Sequence, residues 1–499
     1  MTCIGDRHSG TAGGVLCSGG KPISVQIRLS HDASHAPVQH TAWMLVNILC
    51  RLQGAVSMIQ IDCPSGIKAL TKLSPLVTDG KELREALVSG AEAIGSPENG
   101  FVEVSTSSGC SVDAVISVGF DFCSDASFCA VGNGLCGGIF SRKIAPPARY
   151  SALTIGPYVA ACLAAGEIFR FVRLNSYVPE RQVFLNTQDY THAADPTWSD
   201  MEIVNELDSV LLAGTGAVGT SLLHTLYPLP LRGEMSLADN DEKGVEATNL
   251  GRYPLFGWAS LGKPKASEAA RLLAKATFQM VPYDGGFEHF FVGKERPQIV
   301  LSAVDKNSAR HALQEQYSPL YLSASTHNLR AEVLRCGPPM VGACLACFNP
   351  LETPQRTEDE IRNLLEERPE LASDLSKRLH LDANEVVAWI RDRKCSETGD
   401  RLVGELRTED GSAPAFAVGF VSVMSGTLLA AELLKAISRG NGPLEKTRNR
   451  VVFQFQNPMA TTNTSQFYPR DERCMSCSSD NLGALTWQRR YTRFFETSD

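Results

Sequence analysis

The stretch Val210-Leu211-Leu212-Ala213-Gly214-Thr215-Gly216-Ala217-Val218-Gly219 decides the fold. Its apolar lead reads as a buried strand, and the Gly-x-Gly-x-x-Gly after it supplies a tight turn ahead of the helical pattern from Thr220 to Tyr227. A second strand, Glu234 to Ala238, ends on Asp239. Strand, glycine turn, helix and strand in that order open a nucleotide-binding α/β fold. The alternation continues with a helix from Lys265 to Lys275, a strand from Gln298 to Val304, a helix from Ala309 to Gln316 and a strand from Leu320 to Ala324.

Working outward, the same order recurs earlier in the chain. Asp113 to Gly119 matches Gln298 to Val304, and the small-residue helix Gly156 to Phe169 matches Gly419 to Leu434. Each helix precedes a strand led by arginine, Arg181 in one copy and Arg450 in the other. Three matches in one order imply two related α/β lobes. In the first lobe the segment between strand Ile23 to Leu29 and helix His40 to Leu52 reads His31-Asp32-Ala33-Ser34-His35-Ala36-Pro37 and holds no glycine, so a phosphate cannot approach its backbone closely. The expected arrangement is a degenerate lobe over 1–200 and an active lobe over 201–350 and 415–480. Asp113 to Gly156 spans 43 positions and Gln298 to Gly419 spans 121, so the second lobe carries about 78 more. Most of that excess falls in a helical insertion, 351–414, with helices expected over Glu358 to Arg368 and Asn384 to Arg393. Pro354 and Pro369 are read as breakers and 410–414 as a linker; 481–499 is read as a tail.

Composition bounds the function. The chain has 499 residues, 43% hydrophobic and 20% charged, enough for a folded protein of several domains. With 47 basic and 55 acidic side chains and no dense Lys/Arg cluster, nucleic acid is not expected as a partner. The apolar runs fall short of a bilayer span and Met1 to Lys21 has no apolar segment, so a membrane is not expected either and the expected location is cytoplasmic. Fifteen cysteines in such a chain point to buried thiols, a metal site or a reactive thiol rather than disulfides.

The glycine motif, with Asp239 twenty positions after Gly219, suits a nicotinamide enzyme as well as any other nucleotide binder. The residues downstream of it suit ATP with magnesium: Asp241, then Asn249 and Arg252, then Lys263 and Lys265, then Asp305 at a strand end. Cations offset triphosphate charge and an extra acid holds the metal. These residues resemble the ThiF/MoeB family together with the adenylation domains of ubiquitin-activating enzymes, closely from about Val204 to Ser478 and in outline over the N-terminal half. The resemblance implies that Gly214, Gly216 and Gly219 approach the phosphates, that Asp239 binds the ribose with Asp241 beside it, that Asn249, Arg252 and Lys265 contact phosphates, and that Asp305 holds magnesium. Lys263 ranks second to Lys265. The family also sends an arginine from the start of one lobe into its partner's site; Arg7 and Arg28 are the candidates.

Cys344-x-x-Cys347 and Cys474-x-x-Cys477 supply four thiolates, a closed tetrahedral set for structural zinc. The cysteines at 50, 63, 110, 123, 129, 136 and 162 read as buried and inert. Cys395 sits in a polar stretch of the insertion beside Arg391, Arg393 and Lys394, which favour a thiolate. In ubiquitin-activating enzymes the acceptor thiol lies on an element inserted at this point.

The resemblance therefore implies activation of a ubiquitin-like protein: adenylation of its C terminus with Arg252, Lys265 and Asp305 as catalytic groups, a thioester on Cys395, and transfer to a conjugating enzyme. No C-terminal ubiquitin-fold module is expected after Cys477, which is similar to the stand-alone enzymes of bacterial, Bil-type antiviral conjugation operons. The resemblance admits a homodimer through the adenylation lobes. The competing readings are a sulfur-carrier adenylyltransferase that forms no thioester, a non-catalytic nucleotide-binding scaffold and a nicotinamide oxidoreductase.

Overall fold

Strands rich in apolar residues, some in runs such as Val210-Leu211-Leu212-Ala213 and others alternating with polar residues such as Ile23–Leu29, build the two large sheets. The first comprises Ile23–Leu29 (β1), Val56–Asp62 (β2), Glu103–Ser105 (β3), Ala114–Val118 (β4), Phe128–Asn133 (β5), Cys136–Phe140 (β6) and Val183–Asn186 (β7), with helices Ala36–Leu49 (α1), Leu83–Ile94 (α2) and Ile155–Arg173 (α3). Its order is β3-β2-β1-β4-β5-β6-β7, parallel through β5 and antiparallel beyond. The computed structural model describes residues 11–12, 15–16, 20–106, 111–174, 182–192, 196–202, 206–292, 294–351, 356–392, 397–406, 418–438, 448–458 and 462–496.

The second sheet comprises Glu206–Ala213 (β8), Arg232–Asp239 (β9), Gln279–Asp284 (β10), Ile299–Ser302 (β11), Leu320–His327 (β12), Arg330–Cys336 (β13), Arg450–Gln454 (β14) and Thr464–Gln466 (β15). Its order, β10-β9-β8-β11-β12-β13-β14-β15, repeats the first sheet strand for strand, with the same directions and β15 added. The repeat read in the sequence is thus a repeat of topology: the matched segments fall on β4 and β11, on α3 and Gly419–Ile437 (α14), and on β7 and β14. The other helices of this lobe are Ala217–Leu226 (α4), Ala247–Leu250 (α5), Lys265–Leu272 (α6), Phe287–Phe290 (α7), Asn307–Gln314 (α8), Leu345–Phe348 (α9) and Leu482–Glu496 (α15).

One continuous hydrophobic core joins the lobes. The helix pairs α1/α3, α3/α14 and α14/α4 pack there. Helices α3 and α14 are long and apolar enough to cross a membrane, but 94% and 89% of their apolar windows are buried inside the molecule, where they form this junction. Each carries a buried acid–base pair three residues apart, Glu167/Arg170 on α3 and Glu432/Lys435 on α14. Each cation reaches the opposite lobe: Arg170 Nε donates to the Gln456 carbonyl just past β14 (3.2 Å), and Lys435 Nζ to the Thr187 carbonyl just past β7 (2.9 Å). The two contacts are related as the lobes are.

Pro350–Ala415 form a second compact unit. The sequence suggests two helices there, and the described residues hold four: Glu358–Glu367 (α10), Pro369–Arg378 (α11), Ala383–Asp392 (α12) and Glu397–Leu406 (α13). Pro369 breaks the helical run as read, ending α10 after Glu367. It occupies the first turn of α11, where a proline's missing N–H costs nothing and its fixed φ suits the helix. Thr357 opens α10 with a capping box to Glu360, and Ile361, Leu365, Leu375, Val386, Trp389 and Leu402 form the unit's own core.

Two histidines are sealed at the junction. His224 of α4 accepts from Trp43 Nε1 of α1 (3.2 Å) and pairs with Tyr158 Oη of α3 (2.8 Å). Burial, with the charges of His40 and Arg51, lowers it to about 3, and burial lowers His40 to about 4. Below the ordinary value of 6.5 the unfolded chain takes up protons that the folded chain refuses until these lower values, so acid withdraws stability across that window. The denaturation midpoint is expected to fall steadily from pH 6.5 to 4, and His40→Leu to reduce the slope, as chemical denaturation at stepped pH will show.

Candidate nucleotide and metal sites

The candidate nucleotide site lies at the carboxyl ends of β9, β8 and β11, where strand order reverses and open α/β sheets bind ligands. Gly214 leaves β8 with φ +93°, and a Cβ there would stand 2.8 Å from the Ala303 carbonyl oxygen, so only glycine fits. A Cβ on Gly219 would lie 2.1 Å from the Gly214 oxygen, which lets α4 start close behind the turn. Helix α4 has Gly216 as its N-cap and no side-chain cap, leaving its first N–H groups for a ligand.

Asp239 ties this loop to β9. Its Oδ2 accepts from Thr215 N (2.7 Å) and Thr215 Oγ1 (2.9 Å), and its Oδ1 from Asp241 N (3.1 Å). Asp241 in turn forms an ion pair with Lys265 Nζ, the lysine standing 7% exposed at the start of α6. Partial burial alone would raise Asp241, but the hydrogen bond and charge of Lys265 take it below the usual carboxylate range. Burial opposes charge on Lys265, and the neighbouring Tyr253, Asp241 and Asp239 more than offset it. Lys265 is therefore charged and held rather than free in solvent.

Tyr253, which sequence reasoning passed over, completes the arrangement. Its hydroxyl stands 3.5 Å from where a Gly216 Cβ would be, and Lys265 Nζ and Arg252 Cζ lie 5.6 and 5.9 Å from its ring centroid. Its position directly after Arg252 was the available signal. Asn249 is buried and accepts from Glu246 N, closing a capping box on the one-turn α5. Asp305 is exposed just past β11. The Val304 carbonyl before it is held by Arg310 Nη2 (2.6 Å). The structure thus gathers Gly214, Gly216, Gly219, Asp239, Asp241, Arg252, Lys265 and Asp305 around one strand edge. Lys263 pairs instead with Glu268 (3.5 Å).

The corresponding edge of the first lobe is filled. Asp32 stands after β1 where the other lobe has its glycine turn, accepting from Phe120 N (3.2 Å) and Tyr150 Oη (3.4 Å), while His35 stacks on Tyr150 at 3.8 Å. A carboxylate and two rings occupy the space and repel a phosphate. Arg28 is engaged within its own lobe by Asp62 (2.9 Å) and Asp125 (2.7 Å). Arg7 and Cys395 lie outside the described residues.

The four cysteines of the two Cys-x-x-Cys pairs meet, all sulfurs within 4.8 Å of one another. Cys344 and Cys347 lead into α9, and the strand-like bridge between Gly342 and Pro469 brings Cys474 and Cys477 alongside. The contacts Cys344–Cys347, Cys344–Cys474 and Cys347–Cys477 measure 3.6, 3.7 and 3.4 Å. A tetrahedron of zinc–sulfur bonds has edges of about 3.8 Å, so the cluster fits zinc with little adjustment. Hydrogen bonds among the thiols push Cys344 up and take Cys347 down to about 7, because four like charges cannot share this space without a cation. The thiols of Cys50, Cys63, Cys129, Cys136 and Cys162 are buried as expected.

The chain belongs to the ThiF family, whose model matches residues 194–478. Members of that family are adenylyltransferases. The chain is 24% identical over 375 residues to the uncharacterized protein y4jF of Sinorhizobium fredii, covering 68% of this chain and 70% of that one. Among solved structures, E. coli MccB with MccA-N7isoASN overlaps 55% of this chain and 67% of its own at 19% identity and TM-score 0.37. E. coli MccB alone overlaps 56% and 66%, with the same identity and score.

Metal analysis of the purified chain is expected to find one zinc per molecule. Cys477→Ser should lose it and lower the melting temperature by on the order of 10 °C.

Proposed function

We propose that the chain activates a ubiquitin-like protein in two steps, adenylation and then thioester formation, and that the acyl group passes to a conjugating enzyme. The observation that carries the reading is the gathering of Lys265, Asp241, Arg252 and Asp305 around the glycine turn of one lobe, in a chain whose other lobe has Asp32 in place of that turn.

In this reading an oxygen of the modifier's C-terminal carboxylate bonds to the α-phosphorus of ATP, and the bond to the pyrophosphate oxygen breaks. Asp305 would hold magnesium, which when bound offsets triphosphate charge. Arg252 and Lys265 stabilise the charge that develops on the phosphoryl oxygens. Tyr253 keeps both cations facing the glycine turn, and Asp239 retains acceptor capacity for ribose hydroxyls. The Cys395 sulfur, deprotonated by solvent, then bonds to the acyl carbon and AMP leaves with the former carboxylate oxygen. The four-cysteine cluster would hold zinc as a structural tie only. The setting we favour is a bacterial conjugation system of antiviral type in the cytoplasm, with modifier and conjugating enzyme as separate proteins.

The test is ATP–pyrophosphate exchange in the presence of a ubiquitin-like protein ending in glycine. Exchange should drop at least about a hundredfold in Asp305→Ala and Lys265→Ala; undiminished exchange refutes the site. Cys395→Ala should keep exchange and lose the thiol-sensitive adduct seen on non-reducing gels. An adduct that survives moves the acceptor to another residue, and an adduct absent from the wild type favours adenylation without a thioester.

A further inference from the structure

The segment from Asn249 to Ser260 carries Arg252 and Tyr253 to the glycine turn, yet beyond the one-turn α5 and a short turn at Trp258–Ser260 it has no regular structure of its own. Its shape is imposed from the other lobe. Arg51, just past α1, is 2% exposed and donates through one terminal nitrogen to the Leu250 carbonyl and through the other to the Phe256 carbonyl (2.9 Å). Arg51 Nε is braced by Asn47 Oδ1 (2.9 Å), and Asn47 Nδ2 donates to the Pro254 carbonyl (2.9 Å). Three carbonyls that bracket Arg252 and Tyr253 are thus held by two side chains of the degenerate lobe. The same lobe closes on the segment again at Gly257, where a Cβ would meet the Ala93 oxygen at 2.2 Å, and at Trp258, edge-on to Phe101 at 6.4 Å.

Among the described residues Arg51 bonds to Asn47 Oδ1 and the Leu250 and Phe256 carbonyls and to no carboxylate, and burial lowers its guanidinium to about 10. A buried cation without an acid is costly, and three fixed carbonyl and amide dipoles are what it receives instead. For stability alone an apolar side chain would serve as well. The guanidinium's five donors on a planar fork suit it to fixing several backbone oxygens at once.

We propose that Arg51 and Asn47 are positioning residues through which the degenerate lobe sets Arg252 and Tyr253 against the triphosphate. The proposal rests on the adenylation reading. It gives the first lobe a role in nucleotide recognition although no side chain of that lobe need touch the nucleotide. Arg51 crosses between the lobes as the sought arginine would, and ends on the backbone of the site segment.

The experiment measures equilibrium binding of magnesium ATP and of adenosine to the full chain by titration calorimetry. Arg51→Lys keeps the charge and loses the fork; it should weaken ATP about tenfold, as for one charge-assisted bond, and leave adenosine unchanged. Asn47→Ala should act in the same direction, and Arg51→Gln should act more strongly than Arg51→Lys. The comparison variant is Arg170→Lys, an equally buried arginine at the junction that holds Gln456 rather than the site segment. It should lower the melting temperature and leave the ATP-to-adenosine ratio at the wild-type value. An unchanged ratio in folded Arg51→Lys and Asn47→Ala overturns the positioning role alone. The same shift in Arg170→Lys also overturns it, since any loosening of the junction would then suffice. A wild-type chain that binds no magnesium ATP overturns the adenylation reading itself.

Discussion

The structure depends on the packing of α3 against α14. Both helices are buried nearly all round, and each brings a carboxylate and a cation into an environment that tolerates neither alone. A paired buried charge adds little net stability, but removing one partner or its acceptor costs about 3–5 kcal/mol. Beyond the acid on its own helix, Arg170 also donates past β14 and Lys435 past β7. A shift of one helix along the other would cost each cation its contact with the opposite lobe, so these contacts favour one register where an apolar interface would let the helices slide. Glycine narrows the choice further: a Cβ on Gly166 would stand 2.7 Å from the Phe455 ring.

The lobes so joined differ at the candidate site. The two sheets have the same order and directions, and the difference lies in the few residues after the first strand of each. In the second lobe the Gly214 turn leaves backbone N–H groups open to a ligand; in the first, Asp32 stands after β1 and accepts from Phe120 N, past β4. The packing face of the first lobe holds the segment from Asn249 to Ser260.

The sequence made the regular parts legible. Ile23–Leu29, which alternates apolar and polar residues, forms a strand with the bounds read, and the lobe repeat was visible in three short matches because core periodicity survives when sites diverge. The two Cys-x-x-Cys pairs, 130 residues apart, could be paired because thiol geometry allows few alternatives. Pro369 marked the end of α10, but a proline also suits the first turn of a helix, and α11, which starts on it, was not read. Tyr253, Asn47 and Arg51 were missed for another reason. Their contacts run to a glycine position and to backbone carbonyls about 200 residues away, and a carbonyl leaves no mark in the sequence. Cys395 was legible by composition and lies outside the described residues.

The four-cysteine cluster bears on how a lobe can host an insertion. In the first lobe the chain passes from β6 directly to α3; in the second it leaves after β13 and returns at α14 by way of a separate compact unit. A long excursion from the middle of a fold loosens the elements on either side, because each end must be held while the chain between them is free. The exit is held here by backbone pairing, with Ala343 N donating to the Tyr468 carbonyl (3.0 Å) and Arg470 N to the Val341 carbonyl (3.0 Å), and by the cysteines beside it. A zinc ion held by these cysteines would clamp positions 130 apart and restrain the unfolded chain by on the order of a few kcal/mol in the loop-closure picture. Cys344 and Cys347 lie just before the unit that begins at Pro350, so such a clamp would close the lobe at the point where the chain leaves it.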